Sequence, residues 1–339
     1  MNIYDKTISE LEEYFLSLGE KKFKAIQVFE WLYVKRISSF DEMTNIKKDL
    51  IEKLKSDFVF EKLEILKKEV DIEVEKYLFS LSDNERVESV LMRHDYGNSI
   101  CISTQVGCNM GCKFCESGRL KKVRNLTAGE MVLQILQVEE ALKDRISHVV
   151  LMGIGEPFDN FIEFKKFVEI INHPKGLSIG SRHITVSTSG IIPKIREFSE
   201  FPYQVNLAIS LHASNSTLRD ELMPINKAYP LPELMKEIKK YIEKTNRRVT
   251  FEYILLDGVN DKEENAIELC NLLKGINCYV NLIPYNETNN IQYKRSKVDN
   301  ISKFYDIIKK NKVNVTIRRE FGRNISAACG QLRSKKEDL

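Results

Sequence analysis

The chain has 339 residues, of which 42% are hydrophobic and 30% are charged, a composition typical of ordered globular proteins and not of disordered ones. Its length suggests roughly two domains. The formal net charge is only +3, so any binding of a nucleic acid depends on local basic patches and not on the charge of the whole protein.

The N-terminal stretch MNIYDKTISELEEYF has neither the basic region nor the apolar region of a secretion signal. No apolar run approaches the roughly 20 residues that span a bilayer. Seven cysteines, an odd number in a long chain without an export signal, favour reduced thiols over a disulfide framework. We therefore expect a cytoplasmic protein with no membrane partner.

The first 60 residues show the apolar spacing of helices. Helices are predicted in TISELEEYFLSLG, which ends at the capping residue Gly19, in KAIQVFEWLYVKRI, and in DEMTNIKKDLIEKL, where Asp41 is the expected N-cap. The stretch KYLFSLSDNERVESVLMR predicts two strands joined by a turn at Ser82–Asn84. We therefore expect residues 1–95 to form a small helical accessory domain with a short β connection.

From about residue 98 onward, short β-branched runs alternate with amphipathic segments such as TAGEMVLQILQVEEALK and PLPELMKEIKKYIEKT. This alternation predicts βα units and a parallel sheet. Six units suit an α/β core domain in residues 96–339, built as a partial (β/α)6 TIM-like barrel, with a doubly wound sheet as the alternative. The predicted strands are SICISTQ, SHVVLMG, HITVSTSG, VNLAISLH, VTFEYILL and YVNLIPYN.

Unusual polar residues follow the C-terminal end of each predicted strand. Barrel enzymes place their active sites on that rim, so the pattern predicts one large active site assembled from six strand ends. The motifs, in chain order, are the cysteines of 108–115, Gly155-Glu156, the STSG of 187–190, Ser210-Leu211-His212, Asp257-Gly258 and Asn286.

The stretch CNMGCKFC places Cys108, Cys112 and Cys115 together. Buried core cysteines are one interpretation. Zinc is another, but its common structural pattern requires a matching second pair of ligands, which His183 and His212 do not provide. Thiolates are the usual ligands of iron–sulfur clusters, and three of them leave one iron of a [4Fe–4S] cluster open to a cofactor or substrate.

The spacing C-x-x-x-C-x-x-C after the first strand of a βα series resembles the radical S-adenosylmethionine superfamily. The resemblance implies a [4Fe–4S] cluster on the three thiols, with S-adenosylmethionine at its open iron. It also implies that Phe114 contacts the adenine and that Gly155 and Glu156 contact the cofactor's amino group. A simple strand-to-helix turn is the alternative for MGIGEP, and a dinucleotide loop is excluded because Phe158 replaces the third glycine.

Further motifs are similar to the RlmN/Cfr group of radical RNA methyltransferases, which modify an adenosine of 23S ribosomal RNA. They cover nearly the whole chain: RVESV, VGCNMGCKFC, RNLTAGE, MGIGEP, STSG, SLHA, MPINK, LDGVND and AACGQL. The resemblance implies methylation at carbon 2, with carbon 8 as the alternative within the group. Pro157 and RNLTAGE favour carbon 2, whereas the short chain and NERVESV are also similar to the carbon-8 enzymes.

The resemblance further implies that the methyl group passes through a protein thiol. One S-adenosylmethionine methylates Cys329 and a second activates the S-methyl group, so that two are used per turnover. Glu88 is the implied proton acceptor, and Cys101 releases the product by forming a disulfide with Cys329. Considered singly, each of these thiols is a structural residue and Glu88 an ordinary strand carboxylate. Cys270 and Cys278 are expected in the core.

The resemblance also implies cofactor contacts and partners. For His212 alone, a structural histidine is the simpler interpretation. The implied partners of the monomeric enzyme are 23S ribosomal RNA, with transfer RNA as a second candidate substrate, and an electron donor such as flavodoxin or ferredoxin. The residues that match positions lining the cofactor pocket are Ser187, Ser210, Leu211, His212 and Asn286.

Basic residues near Cys329 are candidates for contacts with RNA phosphates, as is the N-terminal accessory domain. They are Arg318, Arg319 and Arg323 in TIRREFGR, although a run of charged residues usually forms only a solvent-exposed surface.

One departure from the RlmN/Cfr group follows the third thiol, where Glu116-Ser117 replaces a small residue and threonine. This carboxylate either shifts the potential of a cluster or points to solvent.

Two functions of other classes are compatible with parts of the sequence. A zinc-stabilised RNA-binding module without catalysis explains the cysteines and the basic segments but not the six strand ends with motifs. A nicotinamide-dependent oxidoreductase explains the strand–helix alternation but not the missing third glycine.

Overall fold

The computed structural model describes residues 1–288, 292–319, 322 and 325–332. The strands in this part of the chain are β1 (Glu64–Asp71), β2 (Val74–Ser80), β3 (Arg86–His94), β4 (Gly97–Cys101), β5 (Gln105–Val106), β6 (Arg124–Asn125), β7 (Ile146–Leu151), β8 (Ile184–Thr188), β9 (Asn206–Ser210), β10 (Val249–Leu255), β11 (Cys278–Pro284) and β12 (Asn314–Ile317). The α-helices are α1 (Ile8–Ser17), α2 (Phe23–Tyr33), α3 (Lys48–Asp57), α4 (Ala128–Leu142), α5 (Phe161–Asn172), α6 (Ile192–Phe198), α7 (Ser216–Leu222), α8 (Leu231–Thr245), α9 (Glu263–Leu273) and α10 (Val298–Lys310).

Ten of these strands form one sheet in the order β1-β2-β3-β4-β7-β8-β9-β10-β11-β12. From β4 to β12 all neighbours are parallel, and helices connect them in six βα units. The strand order follows the chain without reversal, whereas a doubly wound sheet reverses at its switch point. The prediction of a partial (β/α)6 barrel is therefore confirmed.

The last parallel strand, β12, is an addition that the sequence did not predict. Its four residues NVTI show no buried position, so the alternation that identifies a half-buried strand is missing. It pairs with β11 from Tyr279↔Asn314 to Leu282↔Ile317. This pairing brings Arg318, the next residue, to the end of the sheet where the predicted motifs lie.

Three antiparallel strands extend the sheet on the other side of β4. The turn at Ser82–Asn84 is confirmed between β2 and β3, while the exposed, lysine-containing β1 forms an edge that was not predicted. Strand β3 pairs with β4 from His94↔Gly97 to Val90↔Cys101. The division between residues 95 and 96 stays a prediction, and the strands on its two sides pair with each other.

The N-terminal helices form mostly as predicted. Helix α1 has a capping box in which Thr7 accepts from the backbone of Glu10 and Glu10 accepts from the backbone of Thr7. The prediction for Asp41 is wrong: this residue lies in a short 3-10 turn capped by Ser39, and α3 begins only at Lys48. Asp41 is too far from that first turn to cap it.

One hydrophobic core joins the N-terminal helices to the barrel helices. Polar contacts fix the same interface, since the Gly129 amide donates to Asp5 at 2.9 Å and Arg36 pairs with Glu139 at 2.6 Å. The N-terminal region thus packs against α4. Within the described residues, no helix has the length and apolar character needed to cross a membrane.

Candidate active site

The three clustered thiols lie in the loop between β5 and β6. Tight backbone contacts shape this loop: the Cys108 amide donates to Leu120 at 3.0 Å, and a side chain on Gly107 would lie 2.3 Å from the Lys121 carbonyl oxygen. Cys108, Cys112 and Cys115 all line one cavity, the first cavity, which has about 890 Å³ of space, part of it open to solvent. The sequence prediction that these thiols act together is supported by this placement.

Burial dominates the electrostatics of these thiols. It raises the pKa of Cys108 to about 12, with a further contribution from the charge of Cys115, and it raises the pKa of Cys112 for the same reasons. A thiolate in this cavity therefore requires a bound cation to neutralise it. No three histidine, cysteine or acidic side chains among the described residues converge closely enough to hold one metal ion. Three thiols spread around a cavity suit a larger cluster better.

Glu156 is the buried carboxylate of the first cavity, reached by the turn after β7. Its Oε1 accepts from the Phe158 amide at 3.0 Å and its Oε2 from the Ser189 amide at 2.7 Å. Burial raises the pKa of Glu156, and these amide bonds oppose the shift. Gly155 is required beside it, because its φ is +110° and an added Cβ would lie 2.7 Å from Gln105 Cβ. The turn thus fixes a carboxylate towards the cavity.

The ends of β8 and β9 supply the opposite wall. Ser187 and Ser210 line the first cavity with their hydroxyl oxygens 3.3 Å apart. His212 follows in a left-handed conformation, accepts from the Ile254 amide at Nδ1, and meets Phe114 edge to face at 4.8 Å. Burial lowers the pKa of His212 to about 3. The ring is therefore neutral, and Nε2 carries its proton.

Leu211 takes a different position from its neighbours in the motif. Its side chain is fully buried in the hydrophobic core and does not line the first cavity. Its backbone amide donates to the Glu252 carbonyl at 3.0 Å, and its carbonyl accepts from Arg219. Leu211 therefore shapes the turn, and any ligand contact at this position comes from the backbone.

Arg219 is a functional-site residue that sequence reasoning missed. Its guanidinium is fully buried and donates to the carbonyls of Ser189, Ser210 and Leu211 and to the side chain of Asn226. These bonds fasten the turn after β8 to the turn after β9. No sequence signal identifies this role, because the recognised atoms are main-chain oxygens from distant segments.

Cys329 links the first cavity to a second one. It lies in the walls of both cavities, whereas Cys101, at the end of β4, lines only the second cavity. Burial raises the pKa of Cys101 to about 12, and the charge of Cys329 contributes to the rise. Asn286 also lines the second cavity and not the first, with a buried Oδ1 that has no hydrogen-bond partner among the described residues.

The segment around Cys329 is held by the loop of the three thiols. The Glu116 amide donates to Gly330 at 2.8 Å, and the Ser117 hydroxyl donates to Leu332 at 2.6 Å. The Glu116 carboxylate does not point to solvent: the residue is 5% exposed, and its Oε1 lies 3.5 Å from Arg119. The C-terminal segment is therefore held by the Glu116 amide and the Ser117 hydroxyl, whereas the Glu116 side chain faces Arg119.

Glu88 lies outside the walls of both cavities. It is buried on β3, on the same face as Val90 and Met92 of the second cavity, and its Oε1 lies 3.6 Å from Lys76 Nζ. Since Val90 pairs with Cys101, Glu88 is two residues from the partner of that thiol. The structure thus places Glu88 near Cys101, but Glu88 does not line the second cavity, which Cys101 and Cys329 share.

The three arginines near Cys329 differ in their surroundings. Arg318 lines both cavities, with Nη1 3.7 Å from Glu252 Oε2. Arg319 has a more exposed side chain and pairs with Glu73 at 2.6 Å. Arg323 lies outside the described residues. Glu252, which the sequence analysis did not single out, thus provides the carboxylate opposite Arg318 beneath the site.

Comparisons with known proteins agree with this geometry. Residues 1–59 match the model of the ribosomal RNA large subunit methyltransferase N-terminal domain, and residues 102–270 match the radical SAM superfamily. The chain is 56% identical to the probable dual-specificity RNA methyltransferase RlmN of Bacillus velezensis, over 99% of this chain and 93% of that protein. It is 53% identical to the protein of the same name from Spiroplasma citri, over 100% and 99%.

A solved structure shows the same fold. A radical SAM methyltransferase from Sphaerobacter thermophilus superposes with a TM-score of 0.93 at 41% identity, covering 99% of this chain and 100% of that one. Identity at this level over the full length, together with three thiols and a buried carboxylate in one cavity, establishes the assignment. The chain belongs to the RlmN family of radical S-adenosylmethionine RNA methyltransferases.

Proposed function

We propose that this protein methylates carbon 2 of an adenosine in 23S ribosomal RNA, with a transfer RNA adenosine as a second substrate, through a methyl group held on Cys329. The observation that supports this most directly is the position of Cys329 in the walls of both cavities. One cavity has the three thiols and Glu156, and the other has Cys101. A group on Cys329 is therefore within reach of both sets of residues.

The first cavity fits a [4Fe–4S] cluster and S-adenosylmethionine. Cys108, Cys112 and Cys115 would hold the cluster, and the buried Ser189 Oγ in the same walls has no hydrogen-bond partner among the described residues, as expected of a group that awaits a polar ligand. When bound, the two cofactors supply the methyl group and one-electron chemistry. Two S-adenosylmethionine molecules per turnover match the separate transfer and activation of the methyl group.

The chain orients S-adenosylmethionine by charge and shape. The Glu156 carboxylate, fixed by two amides, would pair with the ammonium of the methionine part. Phe114 and His212 form an aromatic corner against which the adenine would pack. Because His212 is neutral, it contributes a hydrogen-bond donor without adding a positive charge next to the sulfonium.

Cys329 and Cys101 then act as a thiol pair. The Cys329 thiolate would attack the methyl group of S-adenosylmethionine, so that a sulfur–carbon bond forms on the protein while the sulfonium–methyl bond breaks and S-adenosylhomocysteine leaves. The one-electron chemistry of the bound cofactors would remove a hydrogen atom from the S-methyl group, and its carbon would then join the adenine ring. Glu88, on β3 beside the second cavity, would accept the proton that leaves the ring carbon, and the remaining odd electron would return to the cluster. The Cys101 thiolate attacks Cys329 Sγ, a disulfide forms, and the sulfur–carbon bond breaks with its electron pair on the methyl carbon, which takes up a proton. The disulfide must be reduced before the next turnover.

Peptide mass spectrometry tests the thiol assignment. After expression with isotopically labelled methionine, the label should be found on Cys329 and not on Cys101. The Cys101→Ala variant should accumulate protein cross-linked to RNA, because the adduct forms but is not released. Free methylated RNA from that variant at the normal rate would contradict the assigned roles.

Nucleoside analysis tests the position of methylation. In a host that lacks its own enzyme, 23S RNA modified by this protein is digested and compared with 2-methyladenosine and 8-methyladenosine standards. We expect 2-methyladenosine, and 8-methyladenosine as the main product would overturn the carbon-2 assignment. We further propose a cytoplasmic monomer that receives electrons from a flavodoxin or ferredoxin, which reduction of the purified enzyme by either protein would test.

A further inference from the structure

The barrel has another cavity at the amino ends of its parallel strands, which we name the basal cavity. It has about 1310 Å³ of space, part of it open to solvent, and is separated from the first cavity by the shared residues Met152, Glu252 and Arg318. Polar side chains from four neighbouring strands form its walls. They are Thr185 of β8, Asn206 of β9, Thr250 of β10 and Asn281 of β11.

The charge of the basal cavity is strongly positive. Its lining residues include four arginines, among them Arg182, Arg247 and Arg248, and one acid, Glu252. One oxygen of Glu252 accepts from Asn281 at 2.9 Å and the other faces Arg318. Within the described part of the chain, no carboxylate pairs with Arg182, Arg247 or Arg248. These guanidiniums therefore have no carboxylate counter-ion among the described residues.

Two features indicate that the basal cavity is built for a ligand. Arg247 is positioned by bonds from Nη1 to the carbonyls of Tyr203 and Val205, and it lies over the ring of Tyr241 at 5.4 Å. The Tyr241 hydroxyl is buried in the cavity wall, and no hydrogen-bond partner for it exists among the described residues. A buried hydroxyl of this kind costs free energy unless a bound molecule satisfies it.

A row of aromatic rings borders the same rim. His183, next to Arg182, stacks on His148 at 4.4 Å, and His148 meets Tyr96 at 5.0 Å. Tyr96 is 65% exposed and stacks in turn on His94 at 4.6 Å. Exposed rings beside arginines are the combination with which proteins stack nucleobases and bind their phosphates.

We propose that the basal cavity is a nucleotide-binding site, in which Arg182 and Arg248 bind a phosphate and the ring of His183 stacks on the base. The phosphate and base could come from a free nucleotide or from a single-stranded segment of RNA. The site lies at the opposite end of the barrel from the thiols, so its occupancy does not depend on methyl transfer.

Binding of uridine 5′-monophosphate to the reconstituted holoenzyme tests this site. S-adenosylmethionine is present at saturation, so that the first cavity is filled, and a single-stranded RNA octamer is titrated in parallel. Reversal of two charges in Arg182→Glu/Arg248→Glu should weaken uridine monophosphate binding by at least about tenfold, the loss expected for charge-assisted hydrogen bonds. If the octamer binds more than about tenfold more tightly than the mononucleotide, RNA is the source of the phosphate and the base. If the two bind equally tightly, the source is a free nucleotide.

The matched control is Lys239→Glu/Lys240→Glu, which changes the net charge equally on the exposed face of α8. It should bind uridine monophosphate normally. His183→Ala should weaken the mononucleotide by about tenfold through lost stacking but leave inorganic pyrophosphate unaffected. Photo-crosslinking with 4-thiouridine monophosphate should label peptides that contain His183 or Tyr241. Equal binding by the wild type and Arg182→Glu/Arg248→Glu, or no binding of either probe, would overturn the proposal.

Discussion

The two ends of the parallel strands have opposite chemistry although they belong to one sheet. At the carboxyl ends the interior is lined by thiols, serines and the buried Glu156, whereas at the amino ends it is lined by arginines and by threonine and asparagine side chains. The carboxyl ends are continued by long connections that fold inward, and these supply reactive groups. The difference teaches that position along a strand, and not residue type alone, determines which side chains take part in catalysis.

The largest expected effect comes from comparing two cysteines. Cys329→Ala should reduce methyladenosine formation by more than about a thousandfold, because the covalent carrier is lost. Cys278→Ala, at the amino end of β11, should retain activity and lose about 1 kcal/mol of stability. Nucleoside mass spectrometry and urea denaturation measure the two effects. Normal methylation by Cys329→Ala would remove the proposed distinction between the ends.

Two buried carboxylates give the next comparison. Glu156→Gln removes the negative charge proposed to face the ammonium group of S-adenosylmethionine. It also places a side-chain NH2 group beside backbone amides that donate to the carboxylate, so S-adenosylmethionine binding should weaken by about 10- to 100-fold. Glu139 accepts from the Ile146 amide at 2.7 Å near the start of β7, and Glu139→Gln should lower only the melting temperature. Anaerobic calorimetry at equal iron content measures the affinities. Equal affinities in both variants would disprove the role of Glu156.

Two glycines with positive φ sharpen the comparison further. In Gly155→Ala the new Cβ would lie 2.7 Å from Gln105 Cβ and 2.8 Å from Thr104 Oγ1, whereas nothing lies within 4 Å of a Cβ on Gly275. We expect a loss of about 2–4 kcal/mol for Gly155→Ala and about 1 kcal/mol for Gly275→Ala. Denaturant unfolding provides the measurement, and similar losses at both positions would show that close packing after β7 is unimportant.

The smallest effect concerns pH and two histidines. The pKa of His212 is lowered to about 3, so its stabilisation is complete above the unfolded value of 6.5 and is lost as the pH falls from there towards 3. Between pH 8 and 5.5, the wild type should lose about 1.4 kcal/mol in total, most of it below about pH 6.5, and His212→Gln should not show this loss. His148, whose pKa is lowered by partial burial and by His183, should give a weaker effect in His148→Gln. Identical pH profiles of unfolding for the wild type and His212→Gln would contradict the burial of a neutral ring.

Much of the architecture was accessible from the sequence because it depends on local patterns. The alternation of β-branched runs and amphipathic segments has its own period, and it predicted the six βα units. Capping residues mark the ends of helices through local contacts alone. Thr127, for example, accepts from the Glu130 amide at the start of α4. Asp41 and β12 show the limit, because a nearby turn or a weakly buried edge strand gives an ambiguous local signal.

The candidate site was accessible to a different degree. Motif resemblance selected the cysteines, Glu156 and His212, and the structure places all of them around connected cavities. It did not select Arg219 or Glu252, since their roles arise from contacts with main-chain oxygens and with Arg318 that no spacing reveals. Nor did it indicate that Asn286 lines the second cavity and that Leu211 is a core residue.

The sequence by itself determined the spacing of the three thiols, the order of the βα units and the family, because each depends on residues close together in the chain or on a pattern of short motifs. Only the tertiary structure decided that Cys329 lies between Cys101 and the loop of the three thiols, and that four arginines line the basal cavity. Both arrangements require segments distant in sequence to meet as the sheet curves. The free energy that holds them together comes from core packing and buried hydrogen bonds, which cannot be assigned until the neighbours are known.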